Sequence, residues 1–119
     1  MNREMKFRGW NGKRMTREYT LQDMLVQQLE HNGLKDNWMQ FTGLHDKNGK
    51  EIYEGDVLRV GVIEKTKQNR EVVYENGAFF TLVPADKKMV SSDHLVAYYS
   101  KEEIEIIGNI YENPELLKA

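Results

Sequence analysis

Asn76-Gly77 sits between two β-rich runs, Arg70–Tyr74 and Ala78–Val83, and constrains the fold more than any other pair of residues. An Asn-Gly pair accepts positive φ at both positions, which a type I′ turn requires and few other dipeptides tolerate. A tight turn there pairs Tyr74 with Phe79 and Val73 with Phe80. Successive strand residues point to opposite faces, so both faces of this hairpin carry apolar bulk. One face then covers a core, and the other is left for a helix or another subunit. A chain containing such a hairpin is committed to antiparallel sheet.

The stretch Met39–Val60, MQFTGLHDKNGKEIYEGDVLRV, reads as strand, long turn, strand. Met39, Phe41 and Leu44 lead in. Asp46 and Asn48 can bond their own backbone, and Gly49 can take positive φ. Ile52 and Tyr53 return apolar bulk to the core, and Glu54-Gly55-Asp56 punctuates the chain before a strand over Val57–Val62. There Leu58, Val60 and Val62 share one face, with Arg59 and Gly61 on the other, the alternation of a half-buried strand.

At the N-terminal end, Met5–Trp10 reads as a strand and Asn11-Gly12 as a second tight turn, with Lys13–Tyr19 returning. That register pairs Trp10 with Lys13 and Arg8 with Met15. Neither face is clean, so a bulge or longer loop is the alternative. Thr20–Asn32 reads as a helix, capped by Thr20 with Asp23 near a capping-box position and Gly33 placed to end it. Leu21, Met24, Leu25 and Leu29 recur at helical spacing. An amphipathic helix over a sheet edge is the favoured reading, with a partner-binding helix as the alternative. Lys65–Arg70 reads as a basic turn and Pro84–Lys88 as a loop. Ser92–Ser100 reads as a short helix capped by Ser92, with a strand as the alternative. Glu105–Tyr111 reads as a strand with Gly108 at a bulge or close approach. Asn113–Leu117 reads as a turn and short terminal helix.

Composition narrows function mostly by exclusion. The 119 residues fit one domain spanning 1–119. An apolar content of 39% is too high for disorder, and a net charge of −2 creates no global field that would draw in nucleic acid or anionic membrane. Cysteine is absent, which removes disulfides, thiolate metal sites and cysteine nucleophiles and fits a reducing compartment. The first residues have no apolar signal region, and no apolar run approaches the ~20 residues of a membrane span. A soluble cytoplasmic protein is expected.

Catalytic and metal motifs are missing in the same way. His31, His45 and His94 are scattered, without metal-ligand spacing. Counted from Asp46, a calcium loop would need glycine and glutamate at its sixth and twelfth positions, where Glu51 and Val57 stand. Glu51, Glu54 and Asp56 cluster in sequence, and paired carboxylates can serve acid–base or metal chemistry, but a backbone-bonding role for Asp56 at a strand entry is simpler. No catalytic residue, cofactor or metal is assigned. The basic arm carries Arg8, Trp10, Lys13, Arg14 and Arg17, cations and an aromatic that could hold phosphates and a base. A solvated edge whose charges block strand pairing is the favoured alternative.

The landmarks REMKFRGW over Arg3–Trp10, MQFTGL over Met39–Leu44, DKNGKEIYEGD over Asp46–Asp56, and IIGNIYENPELL over Ile106–Leu117 occur in this order. Together they resemble the YopX-like proteins of phages and prophages. Gly9 stands where that family commonly has alanine, and Thr20–Trp38 and Asp86–Tyr99 look like variable insertions. The resemblance implies a mainly β fold with short helices (α+β), a barrel-like antiparallel sheet capped by helices. It implies occurrence in tailed phages and prophages, chiefly of Gram-positive bacteria. It carries over no activity, cofactor or catalytic residue. Gly43, Asp46, Gly49, Tyr53, Gly55, Asp56, Gly108, Asn109 and Pro114 read physically as turn and core determinants.

The expectation is therefore a non-enzymatic phage or prophage accessory protein that binds a macromolecule, by self-association as a homo-oligomer or by contact with a phage or host protein, and not a membrane. A small β-barrel nucleic-acid binder using the N-terminal arm is the alternative, less favoured. An enzyme using Glu54 and Asp56 comes last.

Overall fold

The structure is a computed structural model that describes residues 5–30, 37–84 and 87–118. The expected helix stop at Gly33, His31, the start of the basic arm at Arg3, and the middle of the Pro84–Lys88 loop lie outside the described residues.

The fold is mainly β, with nine strands in two sheets and a few short helices among the described residues. The first sheet has the order β2-β1-β3-β4, from β1 (Lys6–Trp10), β2 (Tyr19–Thr20), β3 (Asn37–His45) and β4 (Glu51–Tyr53). The second has the order β8-β7-β6-β5-β9, from β5 (Asp56–Val60), β6 (Gln68–Glu75), β7 (Ala78–Leu82), β8 (Met89–Ser91) and β9 (Ile104–Asn109). Every pairing is antiparallel, and no closed barrel forms among the described residues. Two helices interrupt the strands, α1 (Leu21–Glu30) and α2 (Ser92–Tyr98).

The Asn76-Gly77 turn forms as the dipeptide demands. Asn76 has φ 53° and Gly77 φ 82°, and Tyr74 pairs with Phe79 and Val73 with Phe80. The same dipeptide at Asn11-Gly12 behaves differently. The Asn11 side chain accepts the backbone N–H groups of Lys13 and Arg14, and Asn11 N donates to Arg14 O. A longer loop results, so Trp10 bridges Met15, and Gly9 exchanges bonds with Thr16 through backbone and hydroxyl. The expected Trp10–Lys13 and Arg8–Met15 pairs do not occur. Lys13–Tyr19 is not a continuous returning strand; past the Trp10–Met15 bridge, pairing with β1 resumes at Tyr19–Thr20. Capping competed with the tight turn and won.

The strand expected over Val57–Val62 stops at Val60. Gly61 turns the chain at φ 142°, which leaves Val62 and Ile63 exposed rather than on the core face. Within β5, Val57, Leu58 and Val60 are all buried, so this central strand is covered on both sides. The expected turn over Lys65–Arg70 is shorter, since Gln68 already opens β6. The last strand ends at Asn109, short of Tyr111. Its bulge falls as expected: Gly108 pairs with Val57 and Ile106 with Leu58, leaving Ile107 unmatched. Thr20 caps α1 through the N–H of Asp23. Ser92–Tyr98 is helical, and Ser91 rather than Ser92 is its cap, accepting from His94 N.

The core joins the two sheets. Ile52 of β4 packs with Leu58, Val60, Val72 and Ile104 of the second sheet and with Leu95 of α2. The turn between β4 and β5 stitches the sheets together, because Gly55 N donates to Val72 O and Gly55 O accepts from Ile110 N. Asp46 adds a second stitch. It is fully buried; its Oδ1 accepts from Asn48 N and Lys50 N, and its Oδ2 accepts from Ile106 N in β9. A buried carboxylate is tolerated only when such donors surround it. They also hold its carboxyl below the ordinary range: burial pushes the value up, and the N–H groups of Ile106, Lys50 and Asn48 outweigh it.

Candidate functional site

Strand alternation sends Lys6 and Arg8 to the same face of β1, beside Phe41 of β3 and Tyr53 of β4. Lys6 Nζ lies 5.5 Å from the centre of the Phe41 ring, and the Arg8 guanidinium lies 4.7 Å from that of Tyr53. The two rings are themselves 5.5 Å apart. Cations over aromatic faces are attracted by the ring quadrupole, most strongly when water is excluded. Lys6, Arg8, Glu51 and Tyr53 floor an open groove of about 970 Å³. Thr16, Arg17 and Glu18 form one wall, from the chain returning after the Asn11–Arg14 loop; His45, Gly49 and Lys50 form the other, from the turn after β3.

The floor is a bonded network. Lys6 Nζ donates to Glu51 Oε2 and lies 3.7 Å from Glu18. Tyr53 Oη donates to Glu51 Oε1 at 3.3 Å. Burial raises the Glu51 carboxyl, but the Lys6 bond and charge, with the Tyr53 hydroxyl, bring it below its ordinary value. Burial, followed by the negative charges of Glu51 and Glu18, pushes the Tyr53 phenol far above its usual range. Glu51 therefore stays ionised and Tyr53 protonated near neutral pH, and neither is poised to take or release a proton there. The network holds cations and hydroxyls in set places at an open groove.

Arg8 also reaches Asp56. Its Nη2 stands 2.6 Å from Asp56 Oδ1, while Asp56 Oδ2 accepts from Tyr53 N at 2.8 Å. Asp56, 1% exposed, is thus committed to a cation and a backbone donor. Glu54, its neighbour across Gly55, does not share these bonds. The described residues hold no group of histidines and acids arranged for a metal ion.

The other residues of the basic arm are scattered. Trp10 stacks on Tyr111 at 5.4 Å, away from the groove floor. Lys13 and Arg14 are exposed in the loop, and Arg17 lies over the Tyr19 ring at 4.3 Å while donating to Glu18 O. Arg8 and Arg17 line the groove; Trp10, Lys13 and Arg14 do not. Lys6 of the basic arm and Glu51 of the carboxylate cluster belong to the site, with Lys50, which sequence reasoning did not single out for binding. Period-two alternation already placed Lys6 beside Arg8. Nothing local announced that Glu51, 45 positions from Lys6, would be its partner.

The positions read as turn and core determinants sit where the chain changes direction. Gly43 (φ 89°) lies in the irregular register between Phe41 and His45. Gly49 (φ 79°) closes the Asp46 turn. Asn109 Oδ1 accepts from Tyr111 N and Glu112 N, and Pro114 opens the terminal 3-10 turn.

The profile of the YopX protein family matches residues 14–118. Among solved structures, the chain is similar to the crystal structure of protein EF1440 from Enterococcus faecalis, at 28% identity and a TM-score of 0.56 over 97% of this chain and 76% of that one. No curated protein matches. No helix among the described residues is long and apolar enough to cross a membrane.

Proposed function

The chain belongs to the YopX protein family, and on that premise we propose that it is a non-enzymatic phage or prophage accessory protein that acts by binding macromolecules, through protein contacts or self-association. The observation that carries this reading is the outer face of the β6–β7–β8 ladder. Val73, Phe80, Leu82 and Met89 share that face by register, and all keep partial or full exposure. A contiguous apolar strip left open on a sheet is a docking surface. The helix α1 adds to it: Leu21, Leu25 and Val26 are 40%, 48% and 43% exposed, so the partner-binding alternative for this helix gains support. In this role the two sheets serve as one barrel-like scaffold with the helices at its open sides. The commitment of Asp46 and Asp56 to structural bonds fits a scaffold better than a reaction centre.

The test is the mass of the full chain by light scattering, with Phe80→Asp as the probe of the strip. We expect a mass above the 14.0 kDa of one chain that falls toward it in Phe80→Asp.

The groove supports a second reading, nucleic-acid binding, because it gathers Lys6, Arg8, Arg17 and Lys50 around aromatic rings. Affinity would then fall steeply with salt, and each cation removed would lower the slope by about one. Submicromolar binding to single-stranded or duplex nucleic acid at about 150 mM salt, lost in Arg17→Glu with Lys50→Glu, would overturn the first reading. That pair of changes leaves the Arg8–Asp56 bond intact.

A further inference from the structure

A second cavity of about 260 Å³ opens where the β4–β5 turn meets β6, at the stitch between the sheets. Gly55 and Val72 lie at its base, Trp38, Tyr74 and Tyr111 give it aromatic walls, and Glu54 and Glu71 bring two carboxylates to it. It is separate from the groove, sharing none of its lining residues.

We propose that this cavity receives a lysine or arginine side chain presented by a second polypeptide. The proposal rests on the protein-binding reading above and names the chemistry of the contact. Neither carboxylate has an ion-pair partner among the described residues, although both are half-buried. Burial raises both carboxyls; a backbone bond from Gln40 opposes the shift at Glu54, and the charge of Lys87 opposes it at Glu71. An incoming cation would relieve that burden. The aromatic walls suit the same occupant, because a cation over a ring is favoured most where water is excluded. Tyr111 is held in place from outside by the stacked ring of Trp10. The size fits one long side chain and falls below the ~300–1,000 Å³ of small-molecule sites. Trp38 Nε1 is buried and has no partner among the described residues.

The test follows the Trp38 indole N–H resonance of the full chain by NMR. The probe is Nα-acetyl-arginine methylamide, and the control is the citrulline counterpart, equal in shape without the charge. We expect the arginine probe to shift the resonance saturably and the citrulline probe to leave it unmoved. Glu54→Gln with Glu71→Gln should weaken arginine binding at least ~tenfold with no fall in melting temperature. Equal response to both probes, unchanged affinity in the double variant, or calcium ions shifting the same resonance would overturn the proposal. Failure here together with a mass that depends on Phe80 would leave the protein-binding reading standing. Success with a purely monomeric chain would fix the cation site while removing self-association.

Discussion

Arg8 and Asp56, 48 positions apart, meet at 2.6 Å in a place where both are largely removed from water. Their bond ties the first strand of one sheet to the first strand of the other. Removing one partner strands a buried charge, so Asp56→Ala is expected to cost about 3–5 kcal/mol in urea unfolding. Arg8→Ala should cost a comparable amount, and the double variant clearly less than the sum of the two. Additive losses would show that the two side chains act independently.

Gly55 combines a φ of 88° with a crowded site, where a Cβ would stand 2.9 Å from the sulfur of buried Met39. Strain and packing act in the same direction at this position. Gly55→Val should destabilise by at least ~1 kcal/mol, read as a lowered melting temperature. An unchanged melting temperature would refute the assignment.

Asp46 sets the acid limb of the stability curve. Its folded carboxyl lies below the ordinary value, so its contribution is present above the unfolded value, near 3.8, and is lost as pH falls through the folded one. Melting temperature should therefore drop below about pH 4. Asp46→Asn turns one acceptor into a donor facing backbone N–H groups and should cost about 2–3 kcal/mol at neutral pH. Its melting temperature should also vary less with acid than that of the parent chain. A variant retaining the full acid dependence would assign the limb to other carboxylates.

Glu54 and Glu71 have the opposite sign. Their folded carboxyls are raised, so their contribution is present below the unfolded values, near 4.5, and is lost as pH rises through the folded ones. Glu54→Gln with Glu71→Gln should raise the melting temperature at pH 7, and the advantage should shrink toward pH 4. No gain at pH 7 would mean that the two carboxylates are already compensated in the free protein.

Features governed by neighbours in sequence were legible before the fold was known. Asn76-Gly77 set its own turn and register, Thr20 its cap, and Gly108 its bulge. Asn11-Gly12 carried the same signal as Asn76-Gly77 but took the longer loop that the unclean strand faces left as the alternative, because the Asn11 side chain bonds within its own loop and Thr16 holds Gly9. The groove was half legible. Its cations stood out as a basic arm, but their partners did not, since Glu51 and Asp56 approach Lys6 and Arg8 only once β3 has paired with both β1 and β4. The acidic cavity left no local trace, because Glu54 comes from the β4–β5 turn and Glu71 from β6.

The position of β5 between β6 and β9 governs how the chain can come to be folded. β9 is made only after β6, β7, β8 and α2 have all emerged. Until then Val57, Leu58 and Val60 line a bare edge of hydrogen-bonding groups, which any neighbouring strand could fill. The bond from Ile106 N to Asp46, spanning 60 positions, cannot form earlier either. Completion of the fold is thus a late event in synthesis, with many of its contacts distant in sequence and slow to close. A nascent chain stalled before Ile104 would present that edge to its neighbours on the same messenger, and aggregation would compete directly with maturation.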